Sequence, residues 1–173
     1  IPKARVWLTD MEKDKADLLL SKLPEGKWLV FAPGNANEKK IWPTEKYAEL
    51  ANNFSDVFSG VILDGSSQER NHAAEVGRRL NLPFINLAGK TSLLDAAAVL
   101  KRASLFIGSD SGLGHIAAAV STPTLTFFSV DSPERVLPWG SDTYWLASPD
   151  EYTCNISLGE AVKMTSKIIE QTI

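Results

Sequence analysis

The stretch Ser104–Val120, Ser-Leu-Phe-Ile-Gly-Ser-Asp-Ser-Gly-Leu-Gly-His-Ile-Ala-Ala-Ala-Val, limits the choice of fold more than any other. Its apolar run Leu105–Ile107 has the length of a buried strand, Gly108–Gly114 reads as a small polar turn, and the Ala-rich remainder reads as a helix. A strand that passes through a tight glycine turn into a helix makes an anion site. The first-turn amides have no intrahelical acceptor, and the helix dipole adds partial positive charge there. Gly112 and Gly114 are expected to let the backbone approach a ligand and to permit positive φ. Ser109, Ser111 and His115 add side-chain donors, and Asp110 can accept from a hydroxyl. An ordinary βα turn collects the same residue types, with Ser or Asp capping the helix and His115 on its surface. Gly108–Gly112 also has the outline of a Gly-x-Ser-x-Gly nucleophile elbow, but its central residue is Asp110, which disfavours a serine hydrolase.

Continuous apolar runs recur along the chain. Trp28–Ala32, Gly60–Leu63, Phe84–Leu87, Thr124–Phe128 and Tyr144–Leu146 read as further strands, covered on both faces where they are longest. Arg5–Leu8 alternates like a short strand or an extended linker. Capping boxes at Thr9/Glu12, Ser92/Asp95 and Ser157/Glu160 predict three helix starts. Pro43 predicts a fourth, with Tyr47, Leu50, Ala51 and Phe54 at helical spacing. Another helix is expected from the Asp64–Glu69 loop to about Leu80, and Ser129–Gly140 reads as a long polar loop. Strands alternating with helices imply right-handed crossovers and a Rossmann-like, doubly wound parallel α/β sheet with helices on both faces. Residues 1–173 are expected to form one domain. In such sheets ligands sit beyond the carboxyl ends of the strands, where Pro33–Trp42, Asp64–Glu69 and Gly108–His115 converge.

Composition removes several classes of function. A net charge of −3 and a pI of about 5.4 give no electrostatic case for nucleic acid. No apolar stretch has the roughly 20 residues of a membrane helix. The single cysteine, Cys154, excludes an internal disulfide and fits a reducing compartment. No secretory signal is visible, and a start at Ile1 rather than Met leads us to expect a fragment or processed product.

The converging loops carry groups suited to a nucleoside diphosphate. Lys40 is the cation candidate, just before a helix, although a lysine there can equally be a solvated surface residue. Asn35 and Ala36 offer an amide side chain and backbone N–H groups, or a plain turn. Glu69 could accept from a ribose diol, or serve as a favourable charge in a first helical turn. Trp42 and Trp139 could line a base or sugar pocket, or simply pack. Neither a metal-ligand cluster nor a P-loop lysine motif is present in the sequence.

Four motifs occur in order: Lys40-Ile41-Trp42-Pro43; Asn86-Leu87-Ala88-Gly89-Lys90-Thr91-Ser92-Leu93; Asp110-Ser111-Gly112 with His115 through Ala119; and Thr126-Phe127-Phe128. Together they resemble the C-terminal half of the bacterial lipopolysaccharide heptosyltransferases, glycosyltransferase family 9, over about Trp28–Trp139. The resemblance implies one half of a two-domain GT-B enzyme, with Ile1–Asp10 as the hinge from a missing N-terminal domain. It implies that this half holds a nucleotide-sugar donor, typically ADP-heptose, for inverting transfer to the lipopolysaccharide core without metal or other cofactor. Lys40, Ser111, Gly112 and His115 would then face the diphosphate. Asp110 would lie by the donor sugar, and Glu69 near the ribose or adenine, with Asn35 and Ala36 in the neighbouring loop. The catalytic base would belong to the N-terminal half, leaving this chain inactive alone. The work would fall in the cytoplasm, at the inner face of the inner membrane for an acceptor built on lipid A. After Phe128 the family usually has Gly-Pro-Thr, whereas this chain has Ser129-Val130-Asp131, an acidic side chain beside the expected anion site. Two other readings use the same residues: a non-catalytic nucleotide- or sugar-binding module, and a small α/β hydrolase using Asp110 or Ser111.

Overall fold

Trp28–Ala32 forms strand β1, and its neighbours on either side are as apolar as it is: Gly60–Leu63 (β2) and Leu105–Ser109 (β4). The computed structural model describes residues 4–173. Phe84–Asn86 (β3), Thr124–Phe128 (β5) and Thr143–Ala147 (β6) complete a six-stranded sheet in the order β3-β2-β1-β4-β5-β6. Every pairing is parallel. This is the doubly wound order expected of a Rossmann-like domain.

Alternate side chains of one strand serve two cores. Leu29 and Phe31 point to the same core as Val61, Leu63, Leu105, Ile107, Leu125 and Phe127. That side is covered by helices α2 (Thr44–Asn53), α3 (Arg70–Gly77) and α7 (Leu158–Thr172) through Ala48, Leu50, Ala51, Ala73, Val76, Ala161 and Ile168. Val30, Ala32, Ile62 and Phe106 point the other way, under α1 (Asp10–Leu20), α4 (Leu93–Arg102) and α5 (Gly112–Ala119). Burial on both faces is why these strands read as unbroken apolar runs rather than as alternation.

The predicted helix starts are where the chain caps itself. Thr9 N–H donates to Glu12 Oε2 at 2.8 Å, Ser92 N–H to Asp95 Oδ2 at 2.9 Å and Ser157 N–H to Glu160 Oε2 at 3.0 Å. Three expectations need adjustment. Arg5–Leu8 runs without regular pairing, Thr9 caps α1, and Asp10 is its first residue; Ile1–Lys3 of the expected hinge Ile1–Asp10 lie outside the described residues. Helix α3 stops at Gly77 rather than Leu80, because a turn through Arg78 and Arg79 leads to β3, whose Phe84 ring lies over Gly77 where a Cβ would collide at 2.5 Å. The loop Ser129–Gly140 holds a short helix α6 (Pro133–Val136), started by Ser132 with Pro133 in its first turn.

Trp42 is fully buried in the first of these cores. Its ring lies 4.9 Å from Tyr47 and 4.7 Å from Phe127, and its Nε1 donates to the Ile156 carbonyl at 2.9 Å. It therefore packs rather than lines a pocket, and it pins the segment that carries Lys40. Trp42→Ala should cost about 3–5 kcal/mol of unfolding free energy, read from urea denaturation followed by circular dichroism. A loss below about 1 kcal/mol would contradict this anchoring role.

Candidate functional site

The strand order reverses between β1 and β4, so the chain leaves these neighbours toward opposite faces and opens a crevice at their carboxyl ends. β1 leads into Pro33–Ile41, and β4 leads through Asp110 and Ser111 into α5. Direct bonds tie the two loops across the crevice. Asn35 Nδ2 donates to the Asp110 carbonyl at 3.0 Å, while its Oδ1 accepts from Asn37 N–H at 3.0 Å. Lys40 closes a 3₁₀ turn, Glu38–Lys40, rather than preceding a helix directly, since α2 starts at Thr44. From there its Nζ donates to Asp110 Oδ2 at 2.8 Å and to Asp131 Oδ2 at 2.5 Å.

This ion cluster is more enclosed than a surface pair. The Lys40 and Asp110 side chains are 16% and 14% exposed, against 46% for Asp131. Burial opposes the charge on Lys40, but its hydrogen bonds to Asp110 and Asp131 outweigh that and hold the ammonium above the usual lysine range. The bond from Lys40 and its charge hold the Asp131 carboxyl below the usual range.

Ser111 is the N-cap of α5, yet its side chain makes no capping bond, and its buried Oγ has no partner. A buried hydroxyl without a partner is costly unless something outside the chain supplies one. Gly112 follows in helical geometry and does not use the positive φ that a glycine permits; among the described glycines, φ is positive at Gly26, Gly65 and Gly89. A Cβ at Gly112 would meet nothing within 4 Å, so packing within this chain does not require glycine there. The open side faces solvent at the helix N-terminus, where free amides point. His115 is exposed within α5, and Ala36 is exposed in the β1 loop.

Glu69 reaches the same region from β2. Its Oε2 accepts from Ser66 N–H at 2.5 Å, closing a capping box, and its Cβ and Cγ press on Gly34, where a Cβ would come within 2.5 Å. The structure thus gathers Asn35, Ala36, Lys40, Glu69, Asp110, Ser111, Gly112 and His115 around the carboxyl ends of β1, β2 and β4. Trp139 lies elsewhere, 65% exposed, and shares a groove with Ala118 and Ser121 near the end of α5. Among the described residues no group of three or more His, Cys, Asp or Glu is placed to hold a metal ion.

Sequence reasoning passed over Asp64, the residue that follows the apolar run of β2. It is buried, with Oδ1 accepting from Gly65 N–H at 2.8 Å and Thr91 Oγ1 at 3.1 Å, while Oδ2 has no partner. Burial pushes its carboxyl from 3.8 to about 6, against the two hydrogen bonds. The signal that could have found it is an acidic residue placed where a buried strand ends.

The fold and its crevice define a Rossmann-like α/β domain of the class that carries ligands at the switch point of its sheet. The family model for glycosyltransferase family 9 (heptosyltransferase) matches residues 2–165. The lipopolysaccharide heptosyltransferase 2 of Escherichia coli K12 is 30% identical over 147 residues, which is 80% of this chain and 42% of that protein. Among solved structures, E. coli ADP-heptose lps heptosyltransferase II superposes with a TM-score of 0.82 at 24% identity, over 99% of this chain and 56% of that one. E. coli heptosyltransferase WaaC with ADP gives 0.74 at 23% identity, over 88% of this chain and 48% of that one. The chain belongs to glycosyltransferase family 9, the heptosyltransferase family, and spans about half or less of these relatives.

Asp64 makes stability depend on pH. Between 3.8 and about 6 the folded protein keeps a proton that the unfolded chain has already lost. That stabilisation is complete below the lower value and is lost as pH rises through the upper one, a swing of about 3 kcal/mol. Asp64→Asn should flatten the corresponding fall in the urea midpoint between about pH 4 and pH 7. An unchanged pH slope in the variant would show that other groups cause it.

Proposed function

We propose that this chain is the donor-binding half of a heptosyltransferase that transfers heptose from ADP-heptose to the lipopolysaccharide inner core, with inversion and without metal. In this reading the acceptor hydroxyl oxygen attacks the anomeric carbon of the donor, and the bond from that carbon to the diphosphate oxygen breaks. ADP departs, and the hydroxyl proton passes to an acidic base in an N-terminal half. The chain alone then binds donor but does not turn it over.

The observation that carries the reading is the unpartnered Ser111 hydroxyl at the N-terminus of α5, set beside Lys40 and Asp110. A departing diphosphate needs fixed donors where its charge develops. The free amides of α5, Ser111 Oγ, His115 and Lys40 would supply them. Asp110 would meet the donor sugar, and Glu69, braced by Ser66 and Gly34, would meet the ribose or adenine. Asn35 and Ala36 would shape the wall opposite. The similarity of this domain to E. coli heptosyltransferase WaaC, whose structure was solved with ADP, supports the nucleotide. The domain would work in the cytoplasm, with the acceptor and the inner membrane face reached through the N-terminal half. Among the described residues no helix is long and apolar enough to cross a membrane.

Calorimetric titration of the chain with ADP, UDP and GDP, without added metal, tests this. ADP is expected to bind near millimolar, about −4 kcal/mol, and UDP and GDP more weakly. Ser111→Ala combined with His115→Ala should weaken ADP by about 1.5–3 kcal/mol for each charged hydrogen bond lost. Equal affinity in the double variant would move the diphosphate away from α5, and a preference for UDP or GDP would change the donor.

A further inference from the structure

The crevice proposed to take an anion already holds more negative than positive charge. Lys40 is shared by Asp110 at 2.8 Å and Asp131 at 2.5 Å, so the cluster is net acidic before any ligand arrives. The two carboxylates are not held alike. Asp110 is fixed at the end of β4, its N–H donating to the Phe127 carbonyl at 3.1 Å and its own carbonyl accepting from Asn35 at 3.0 Å. Asp131 lies on the segment between β5 and α6, and its side chain is 46% exposed. The root of that segment is tied down, since Ser129 Oγ donates to the Lys39 carbonyl at 3.3 Å and accepts from Thr153 Oγ1 at 2.9 Å. Arg135, on α6, lies close enough to Asp131 to favour its charged form, which offers the carboxylate a second cation.

We propose that Asp131 is a displaceable counter-ion of Lys40 that makes the crevice favour a nucleoside diphosphate esterified to a sugar over the free nucleoside diphosphate, an inference that rests on the donor-binding reading above. A phosphate reaching Lys40 must take the place of the more exposed carboxylate, and Asp131 then turns toward Arg135. Because its root is fixed, it stays near the ligand and repels it. The repulsion grows with ligand charge. A free nucleoside diphosphate ends in a singly substituted phosphate, which near neutral pH carries an extra ionisation that the sugar ester lacks. Asp131 therefore penalises the product more than the donor. In a transfer reaction that difference limits product inhibition and speeds departure of the nucleoside diphosphate.

The test is calorimetric titration of the 173-residue chain and its Asp131→Asn variant with ADP and with ADP-ribose, a diphosphate diester, at low ionic strength. Asn keeps the size of the side chain and removes its charge. Asp131→Asn should tighten ADP about three- to tenfold and ADP-ribose by the smaller factor its lower charge sets, about two- to fivefold, and the gap should shrink at high salt. Equal tightening of both probes, no change, or weaker binding overturns the proposal. If Lys40→Met still weakens both probes in those cases, the donor reading stands without it. If the unmodified chain binds neither probe, the donor reading fails and takes the proposal with it.

Discussion

The parallel pairing of β1 with β4, from Leu29 beside Leu105 to Ala32 beside Gly108, decides where everything else in the molecule goes. A parallel sheet must be covered on both faces, so helices are needed on each side, and right-handed crossovers fix which helix covers which face. At the carboxyl end of this pair a further side chain would be tightly squeezed. A Cβ on Gly108 would come within 3.2 Å of the Ala32 Cβ and 3.3 Å of the Ala32 carbonyl oxygen. The two chains therefore part from nearly touching backbones, and the β1 loop and the α5 N-terminus face each other across a narrow gap. Asn35 and Lys40 can reach Asp110 only because of that closeness.

The polar groups of the crevice divide into those already satisfied and those left waiting. Lys40 and Asp110 neutralise one another in a setting with little solvent, where leaving either alone would be expensive. The Ser111 hydroxyl is the opposite case, a donor that finds no acceptor within the chain, and it sits where the first amides of a helix lack intrahelical acceptors. An anion entering the crevice would complete the second set and disturb the first. Side-chain charge alone would make this a poor anion site; fixed dipoles are what favour it, as expected of a helix N-terminus.

Much of this was legible in the sequence, for reasons that are local. Apolar runs such as Trp28–Ala32 mark strands because burial on both faces removes alternation, and Ser92 with Asp95 marks a helix start because both halves of the cap lie within one turn. The Asp110–His115 turn was found because strand, turn and helix are contiguous there. What escaped depends on distance along the chain. The family resemblance set Asp131 beside the anion site, but Lys40 and Asp131 are 91 residues apart, and nothing local shows that they bond to each other. Trp42 looked equally suited to pocket and core, and only the rings of Tyr47 and Phe127 decide for the core. Asp64 escaped for another reason: an acidic residue after a strand is usually a solvated loop residue, and its enclosure by Gly65 and Thr91 depends on how β2 and the segment after β3 end together.

The strand order also has a consequence for how the molecule assembles. β1, β2 and β3 follow one another in sequence and lie side by side, and so do β4, β5 and β6. Each half can form from neighbouring chain, whereas the seam between β1 and β4 closes only after three strands and their helices have been laid down. Contacts of such long sequence separation are the slow, entropically expensive ones. The crevice straddles that seam, so a chain whose halves have formed but not yet joined has no crevice at all. Any ligand held there would act as a clasp on that long-range joint, stabilising the folded molecule by mass action at the place where its two halves meet.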